Sequence, residues 1–207
     1  MLRRLTQPPH IAGPLVQMEQ KNWPPTKYRN GNAIATTSAD IVNETAPNYQ
    51  WAYGGNESNV ATYGRLYTWY AVNDSRKICP TWWHVPTESE WTTLTNYLTN
   101  NGFGFEGSGD DIAKSMASTS GWTTISTAGS IGNNQLSNNS SGFTAIPSGY
   151  RYTNGTFYNL GTKAYWWSST PTSPESSMMI YLENQFSIVF KNGDGNTAGY
   201  SVRCIKD

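Results

Sequence analysis

The sequence predicts an α+β domain in which helical patterns come first and short strands follow. Residues 87–100 carry the clearest helical pattern, because Thr87 and Glu90 form a T-x-x-E capping box ahead of Trp91, Leu94 and Leu98. Beyond residue 120, strand-like pieces with many aromatic residues alternate with Gly, Asn and Ser clusters. We therefore expect two helices packed on small, twisted antiparallel sheets, joined by many loops.

Composition narrows the class of protein. The 207 residues suit one domain, with only 14% charged residues and 14% aromatic residues. Disordered chains lack aromatic residues, so this balance favours a folded domain whose core is built from large rings. The formal net charge is zero, which speaks against nucleic-acid and anionic-membrane partners. No apolar run is long enough to span a bilayer.

Residues 1–25 differ from the rest of the chain. They contain five prolines and little periodicity, so we interpret them as an extended arm that packs on a neighbour or on the domain itself, and residues 26–207 as the folded domain. Of the two, contact with other subunits is the prediction we test. Residues 1–20 have no apolar segment typical of a secretory signal. The open readings are a signal already removed, release by another route such as a virion, and an intracellular enzyme. We expect an extracellular location.

Further elements follow from local patterns. Short strands are expected near 33–36 and 49–53, an amphipathic helix over 63–73 and a shorter helix over 110–117. The strand-like pieces beyond residue 120 are 142–146, 149–152, 156–158, 164–167, 178–182 and 186–190. The Asn154-Gly155 pair predicts a hairpin between two of them.

Alternation in the 178–182 piece predicts which side chains face the core. Ile180 and Leu182 lie on one face and Met179 and Tyr181 on the other. With the first pair in the core, the second pair points outward, and an exposed Met-Tyr pair indicates a covered or ligand-binding surface.

The two cysteines, Cys79 and Cys204, allow three readings: free thiols, a disulfide or metal ligands. Two cysteines are too few for a structural zinc site without suitably placed histidines, so a disulfide is favoured. A disulfide would indicate an oxidising location.

Other polar residues give weak signals for chemistry. His84 lacks a recognisable nucleophile or acid partner in the sequence, so a buried, hydrogen-bonded structural histidine is favoured over a catalytic one. Residues 192–196 resemble the start of a calcium loop but lack the closing Glu, which favours a turn. No cofactor or metal is expected, and we interpret the chain as non-catalytic.

Several segments together resemble the Fibrobacter succinogenes major paralogous domain family. They are Thr26-Lys-Tyr-Arg-Asn-Gly31, Tyr63-Gly-Arg-Leu-Tyr-Thr-Trp-Tyr-Ala-Val72, the run from Cys79 to Trp91, Gly142-Phe-Thr-Ala-Ile-Pro-Ser-Gly-Tyr-Arg151, Tyr165-Trp-Trp-Ser-Ser-Thr170 and Gly199-Tyr-Ser-Val-Arg-Cys204. The resemblance implies a C-type-lectin-like fold, shared with variable proteins of diversity-generating retroelements. It also implies an adhesin-like module that binds a cell-surface glycan or protein receptor and is displayed on a phage tail or bacterial surface.

The resemblance also implies where the ligand is bound. Variable proteins of this fold present residues between a Tyr-Trp-Ser-Ser-like motif and a final Ser-Val-Arg-Cys motif. The side chains expected to point outward here are Tyr165, Trp166, Met179, Tyr181, Glu183, Gln185, Ser187, Lys191, Asp194 and Asn196. The alternatives are a structural subunit whose aromatic face is buried in an assembly and, less favoured, a carbohydrate-active enzyme.

Overall fold

The structure, a computed structural model, describes residues 24–107 and 109–207. The predicted arm at 1–25 therefore lies almost entirely outside the described residues, and its role stays a prediction. Within the described part, helices and curled sheets are mixed, which confirms the α+β class.

Short helices and strands alternate before residue 120, and most of the strand content follows. The strands are β1 (Gln50–Ala52), β2 (Arg65–Tyr67), β3 (Trp83–His84), β4 (Ser148–Arg151), β5 (Phe157–Leu160), β6 (Lys163–Ser173), β7 (Ser176–Glu183), β8 (Phe190–Gly195) and β9 (Ile205–Lys206). The α-helices are α1 (Val60–Tyr63), α2 (Trp69–Val72), α3 (Glu88–Asn100) and α4 (Ala113–Met116). Single 3-10 turns lie at Tyr53–Gly55, Glu57–Asn59, Phe105–Gly107 and Gln135–Ser137.

The main sheet has five strands in the order β5-β4-β6-β7-β8. Its neighbours are antiparallel except for β4 and β6, which pair in parallel through Gly149 and Ala164. The expectation of purely antiparallel sheets is therefore wrong at this one junction. The hairpin predicted at Asn154-Gly155 joins β4 to β5, and Tyr150 lies opposite Tyr158 in its register.

Helix α3 forms where the capping box predicts it. The Thr87 side chain accepts a hydrogen bond from the Glu90 amide, and the Glu90 carboxylate accepts one from the Thr87 amide. Its buried stripe of Trp91, Leu94 and Leu98 packs on one side of the main sheet. This packing places the helix against Trp166, Ile180 and Leu182, and leaves the other side of the sheet to a second cluster.

The helix predicted over 63–73 is wrong in its first half. Gly64 has a φ of 73°, which ends α1, and residues 65–67 then pair with β1 as strand β2. A new helix begins only after Thr68, whose hydroxyl accepts from the Ala71 amide. The three-to-four spacing of apolar residues in this segment therefore reflects burial of several short elements.

Three of the strand predictions are also corrected. Residues 33–36 and 142–146 form only isolated bridges, through Ala33, Ala35 and Ala145. The last strand of the main sheet runs over Phe190–Gly195, not over 186–190. Most of the segment predicted as a turn at 192–196 therefore lies in β8 and pairs with β7.

The disulfide between Cys79 and Cys204 is present, as predicted. Their Cα atoms lie 5.9 Å apart, and the bond closes 125 residues of chain. The β3–β9 pair lies directly beside it, with His84 opposite Ile205. The end of the chain is thus attached to its middle by one covalent bond and one short ladder.

A buried lysine, Lys114, forms hydrogen bonds with the loop over 130–138, which precedes the main sheet. Lys114 is only 6% exposed, and its ammonium donates to the carbonyl oxygens of Ser130, Asn133 and Asn134 and to Asn138 Oδ1, the last at 2.7 Å. Burial lowers the pKa of this ammonium. A charge so deep in a protein is tolerated because hydrogen-bond acceptors surround it, and the loop over 130–138 is wrapped around it.

Candidate ligand-binding face

A row of aromatic rings crosses all five strands of the main sheet on the side opposite α3. We call this row the aromatic face; its members are Tyr158 on β5, Tyr150 on β4, Tyr165 on β6, Tyr181 on β7 and Phe190 on β8. Cross-strand register aligns them, because Tyr150 lies opposite Tyr158, Tyr165 opposite Tyr181, and Tyr181 opposite Phe190. Side chains of directly paired residues share one face of a sheet.

Successive rings of the aromatic face are in contact. Ring centroids are 5.6 Å apart for Tyr158 and Tyr150, and 5.4 Å for Tyr150 and Tyr165. They are 5.5 Å apart for Tyr165 and Tyr181, and 4.7 Å for Tyr181 and Phe190. These separations fall within the range of favourable aromatic pairs, so the rings support one another as a continuous surface.

Exposure rises towards the two ends of the aromatic face. Tyr165 in the middle is buried, Tyr150, Tyr181 and Phe190 are half-buried, and Tyr158 is 41% exposed. At the other end, Phe186 contacts Phe190 and is 42% exposed. The row therefore has a rigid centre and accessible ends.

Tyr200 packs against the centre of the aromatic face. Its ring stacks on Tyr165 with centroids 5.0 Å apart, and its hydroxyl donates to the Asp194 carboxylate. Burial and the Asp194 charge raise the pKa of Tyr200, and burial likewise raises the pKa of Tyr165 and Tyr150. These phenols remain neutral at ordinary pH, so the face presents rings and hydroxyl groups without phenolate charge.

One ion pair lies at the edge of the aromatic face. Lys163 Nζ is 2.9 Å from Glu183 Oε2, and the two residues are directly paired across β6 and β7. The same ammonium lies 5.5 Å from the centre of the Tyr181 ring, within cation–π range. A charge pair of this kind offers both a donor and an acceptor next to the rings.

The structure brings together only part of the predicted ligand site. Tyr165, Tyr181, Glu183 and Asp194 all lie on the side of the sheet that carries the aromatic face. Gln185 is exposed in the turn after β7 and donates to Glu183. Ser187 lies half-buried beyond the sheet, where its carbonyl accepts from the Ala113 amide.

Four predictions of outward orientation are wrong. Trp166 is fully buried beneath α3, and Met179, Tyr165 and Asn196 are at most 6% exposed. Alternation fails here because aromatic clusters pack on both sides of β6 and β7. Tyr165 and Met179 are therefore buried on the side that carries the aromatic face, whereas Tyr181 is half-buried. Lys191 is exposed, but it lies on the opposite side of the sheet and donates to the Thr92 hydroxyl of α3.

The sequence interpretation missed Tyr150, Tyr158, Lys163, Phe190 and the support from Tyr200. The signal for the first two was available, since the Asn154-Gly155 hairpin fixes the register that places Tyr150 opposite Tyr158. Phe190 was missed because β8 begins four residues later than the predicted strand at 186–190. No local pattern marks Tyr200, which joins the cluster through long-range contacts.

His84 belongs to a different part of the molecule. Its Nδ1 lies 2.6 Å from Asp207 Oδ1 and its Nε2 lies 2.8 Å from Glu90 Oε1. The prediction of a hydrogen-bonded histidine is confirmed, whereas the prediction of burial is wrong, because its side chain is 40% exposed. Partial burial would lower the pKa of His84, but the hydrogen bonds that its ring donates to Asp207 and Glu90 outweigh this effect and the pKa is raised.

Two further observations concern the described residues alone. They contain no group of three or more His, Cys, Asp or Glu side chains placed to hold a metal ion. None of their helices has the length and apolar character needed to cross a bilayer.

Comparison with known proteins gives one finding. No curated protein and no solved structure matches the chain. The family model described as the Fibrobacter succinogenes major domain matches residues 18–206. This match covers nearly all of the 207 residues and agrees with the resemblance that the sequence motifs carry. The chain belongs to the Fibrobacter succinogenes major domain family.

Proposed function

We propose that this domain is a non-catalytic binding module, and that its ligand lies on the aromatic face. The observation that carries the proposal is the continuous row of rings across five strands, from Tyr158 to Phe190. Tyrosine rings supply large contact area at low cost in side-chain entropy, and tyrosine dominates binding hot spots. The centre of the row belongs to the core, whereas Tyr158, Tyr181 and Phe190 towards its ends keep exposed ring surface that a ligand can reach.

The ligand we propose is a glycan or protein receptor on a cell surface. Phenol rings can pack against the apolar faces of sugars or against apolar side chains, and the Lys163–Glu183 pair can bind polar groups beside them. The rigid centre around Tyr165 and Tyr200 favours binding, because little conformational entropy is lost when a pre-ordered surface takes up a ligand.

The proposal includes the C-type-lectin-like fold and display on a phage tail or bacterial surface. In support, the last strand returns to pair with β3 in mid-chain, and a disulfide closes the same junction. A disulfide is expected in proteins that work in oxidising surroundings. Likeness to variable proteins of diversity-generating retroelements belongs to the same proposal, as does the attachment of residues 1–25 to other subunits.

A glycan array combined with binding to whole bacterial cells tests the function. The wild-type domain should bind at least one glycan or cell type, and Tyr158→Ala and Tyr181→Ala should weaken that binding. Tyr97→Ala is the matched control, because Tyr97 is a half-buried tyrosine on α3, on the opposite side of the sheet.

The second candidate function is a structural subunit whose aromatic face is covered by another chain. The exposed Tyr158 and Leu160 on the edge strand β5 favour it, since an edge strand can pair with a neighbour. In that case Tyr158→Ala would alter the oligomeric state in light scattering and leave glycan and cell binding unchanged.

Residues 1–25 have a separate test. Deletion of residues 1–20 should leave a folded monomer and abolish assembly with partner subunits. A deletion that unfolds the domain would instead assign those residues to its core.

A further inference from the structure

A cleft of about 420 Å³ opens beside the Cys79–Cys204 disulfide. Its apolar wall is formed by Val72, Ile78, Val85 and the half-buried Trp83. None of the residues that line it belongs to the aromatic face. Its volume lies within the range of small-molecule sites, about 300–1,000 Å³.

One side of the cleft carries a guanidinium in a fixed position. Arg29 Nε and Nη2 both donate to the Cys79 carbonyl at 3.1 Å, and Nη2 also donates to the Pro80 carbonyl at 2.6 Å. Within the described residues, no carboxylate forms an ion pair with Arg29, and its Nη1 has no hydrogen-bond partner. Arg29 therefore offers an oriented, charged donor group to a ligand.

A second cationic residue, Lys77, lines the same cleft. The Arg29 amide donates to the Lys77 carbonyl at 2.8 Å, so the two backbones are joined. Lys77 has no ion pair among the described residues. Its charge helps to lower the pKa of Asp74, three positions earlier, but the Asp74 carboxylate is bound by Arg76 Nε and Nη2. Lys77 also has a φ of 60°, a left-handed conformation that costs a lysine free energy and tends to occur at functional sites.

The acidic residue of the cleft is already paired. Asp207 accepts a hydrogen bond from His84 Nδ1 at 2.6 Å. The remaining polar lining residues, Asn73 and Ser169, are uncharged. The cleft thus combines two cationic residues that form no ion pair within residues 24–107 and 109–207, neutral hydrogen-bonding groups and an apolar wall that includes an indole ring.

We propose that this cleft binds an acidic sugar, with the carboxylate on Arg29 and Lys77 and the sugar ring against Trp83. A carboxylate satisfies the two cations, and the apolar C–H face of a pyranose fits an indole. Uronic acids and sialic acids both combine a carboxylate with a sugar ring, and the experiment tests one sugar of each class.

The test is an NMR titration of the full chain at low ionic strength, because salt screens exposed charges. The probes are glucuronate and N-acetylneuraminate, with glucose as the ring without a carboxylate and acetate as the carboxylate without a ring. One or both acidic sugars should shift the amide signals of Asn73, Lys77 and Ser169, with an affinity at least about tenfold above that of glucose or acetate, as expected for a hydrogen bond to a charged group.

A matched pair of lysine variants and one variant of the aromatic face complete the test. Lys77→Asn removes the charge but tolerates the left-handed backbone, because asparagine is enriched there, and it should weaken binding at least about tenfold. Lys27→Asn, an exposed lysine outside the cleft lining, should leave the affinity unchanged. Tyr181→Ala should also leave it unchanged, which separates this site from the aromatic face.

Four results would overturn the proposal. Equal affinity for glucose would remove the role of the carboxylate, and equal affinity for acetate would remove the role of the sugar ring. An affinity that Lys77→Asn does not change, or no shift with either acidic sugar, would show that the cleft is not this site.

Discussion

Tyr181 and Phe190 stack almost parallel on neighbouring strands, with ring centroids 4.7 Å apart and ring planes 11° apart. Both rings are half-buried, so each supports the other while one side of the pair remains accessible. If Tyr181 is a hot spot of the proposed binding face, Tyr181→Ala should cost about 2 kcal/mol of binding free energy or more.

This prediction is checked by titrating the wild type and the variant against whichever glycan or cell type the array identifies. Tyr97→Ala should retain the wild-type affinity. Full affinity in Tyr181→Ala would place the ligand elsewhere.

Trp166 is expected to stabilise the fold and not to contact the ligand. It is fully buried and contacts the rings of Trp91 and Phe143, with centroids 6.1 Å and 5.4 Å away. Trp166→Ala should lower the free energy of unfolding by about 3–5 kcal/mol, because a large cavity is left in the core. Urea unfolding monitored by circular dichroism measures this loss, and a loss below about 1 kcal/mol would contradict the assignment of Trp166 to the core.

The burial of Trp166 and Met179 could not be predicted from local sequence patterns. The capping box at Thr87, the hairpin at Asn154-Gly155 and the disulfide all rest on local or pairwise signals, and all three predictions are confirmed. Alternation correctly assigned Ile180 and Leu182 to the core. It could not reveal that Tyr165 and Met179, on the other side of the same strands, are buried as well, because that burial comes from chain segments far away in sequence.

The candidate site was predictable only in part for the same reason. The aromatic face is assembled from five strands, and its order depends on the parallel junction between β4 and β6. The sequence predicts strands at Tyr150 and Tyr165, but no local pattern places one beside the other. Tyr200 is likewise positioned by contacts with residues that are distant in the chain.

The disulfide should contribute a large part of the stability. Closing 125 residues reduces the entropy of the unfolded chain, which amounts to about 4–5 kcal/mol in the loop-entropy model. Guanidinium unfolding with and without reductant should show a clear fall in the midpoint. The double variant Cys79→Ala, Cys204→Ala should unfold at the lower midpoint whether or not reductant is present, and an unchanged wild-type midpoint on reduction would contradict the prediction.

The hydrogen bonds of His84 to Asp207 and Glu90 should make stability depend on pH. Because the pKa of His84 is raised in the fold, its contribution is fully present below the ordinary value of 6.5 and is lost as pH rises through the folded pKa. Partial burial would raise the pKa of Glu90, but its hydrogen bonds with Thr87 and His84 lower it. The contribution of Glu90 is therefore present above 4.5 and is lost as pH falls through its folded pKa.

Comparison of the wild type with His84→Gln over this pH range checks the prediction. The difference in unfolding free energy should be largest between about pH 4.5 and 6.5 and should shrink on either side. His10→Gln, at the other of the two histidines, is the control for the general loss of an imidazole. A difference in unfolding free energy that grows as pH rises above 6.5 would contradict the prediction that His84 stabilises the fold in its protonated form.

Lys114 should stabilise the loop around it through its ammonium group. Lys114→Met keeps an unbranched apolar chain but leaves the buried oxygens of Ser130, Asn133 and Asn138 without their donor. We expect a loss of about 3 kcal/mol in unfolding free energy and faster amide hydrogen exchange over 130–138. Lys191→Met, at an exposed lysine, should change the stability by less than about 0.5 kcal/mol.

The position of the disulfide decides how the domain would carry mechanical load. Tension applied between residue 24 and Asp207 would pass along the chain to Cys79, cross the sulfur–sulfur bond to Cys204, and leave through the last three residues. The whole aromatic face lies between the two cysteines, inside the closed loop and off this path. Under such a load the two ends of the domain would stretch while the aromatic face keeps its shape.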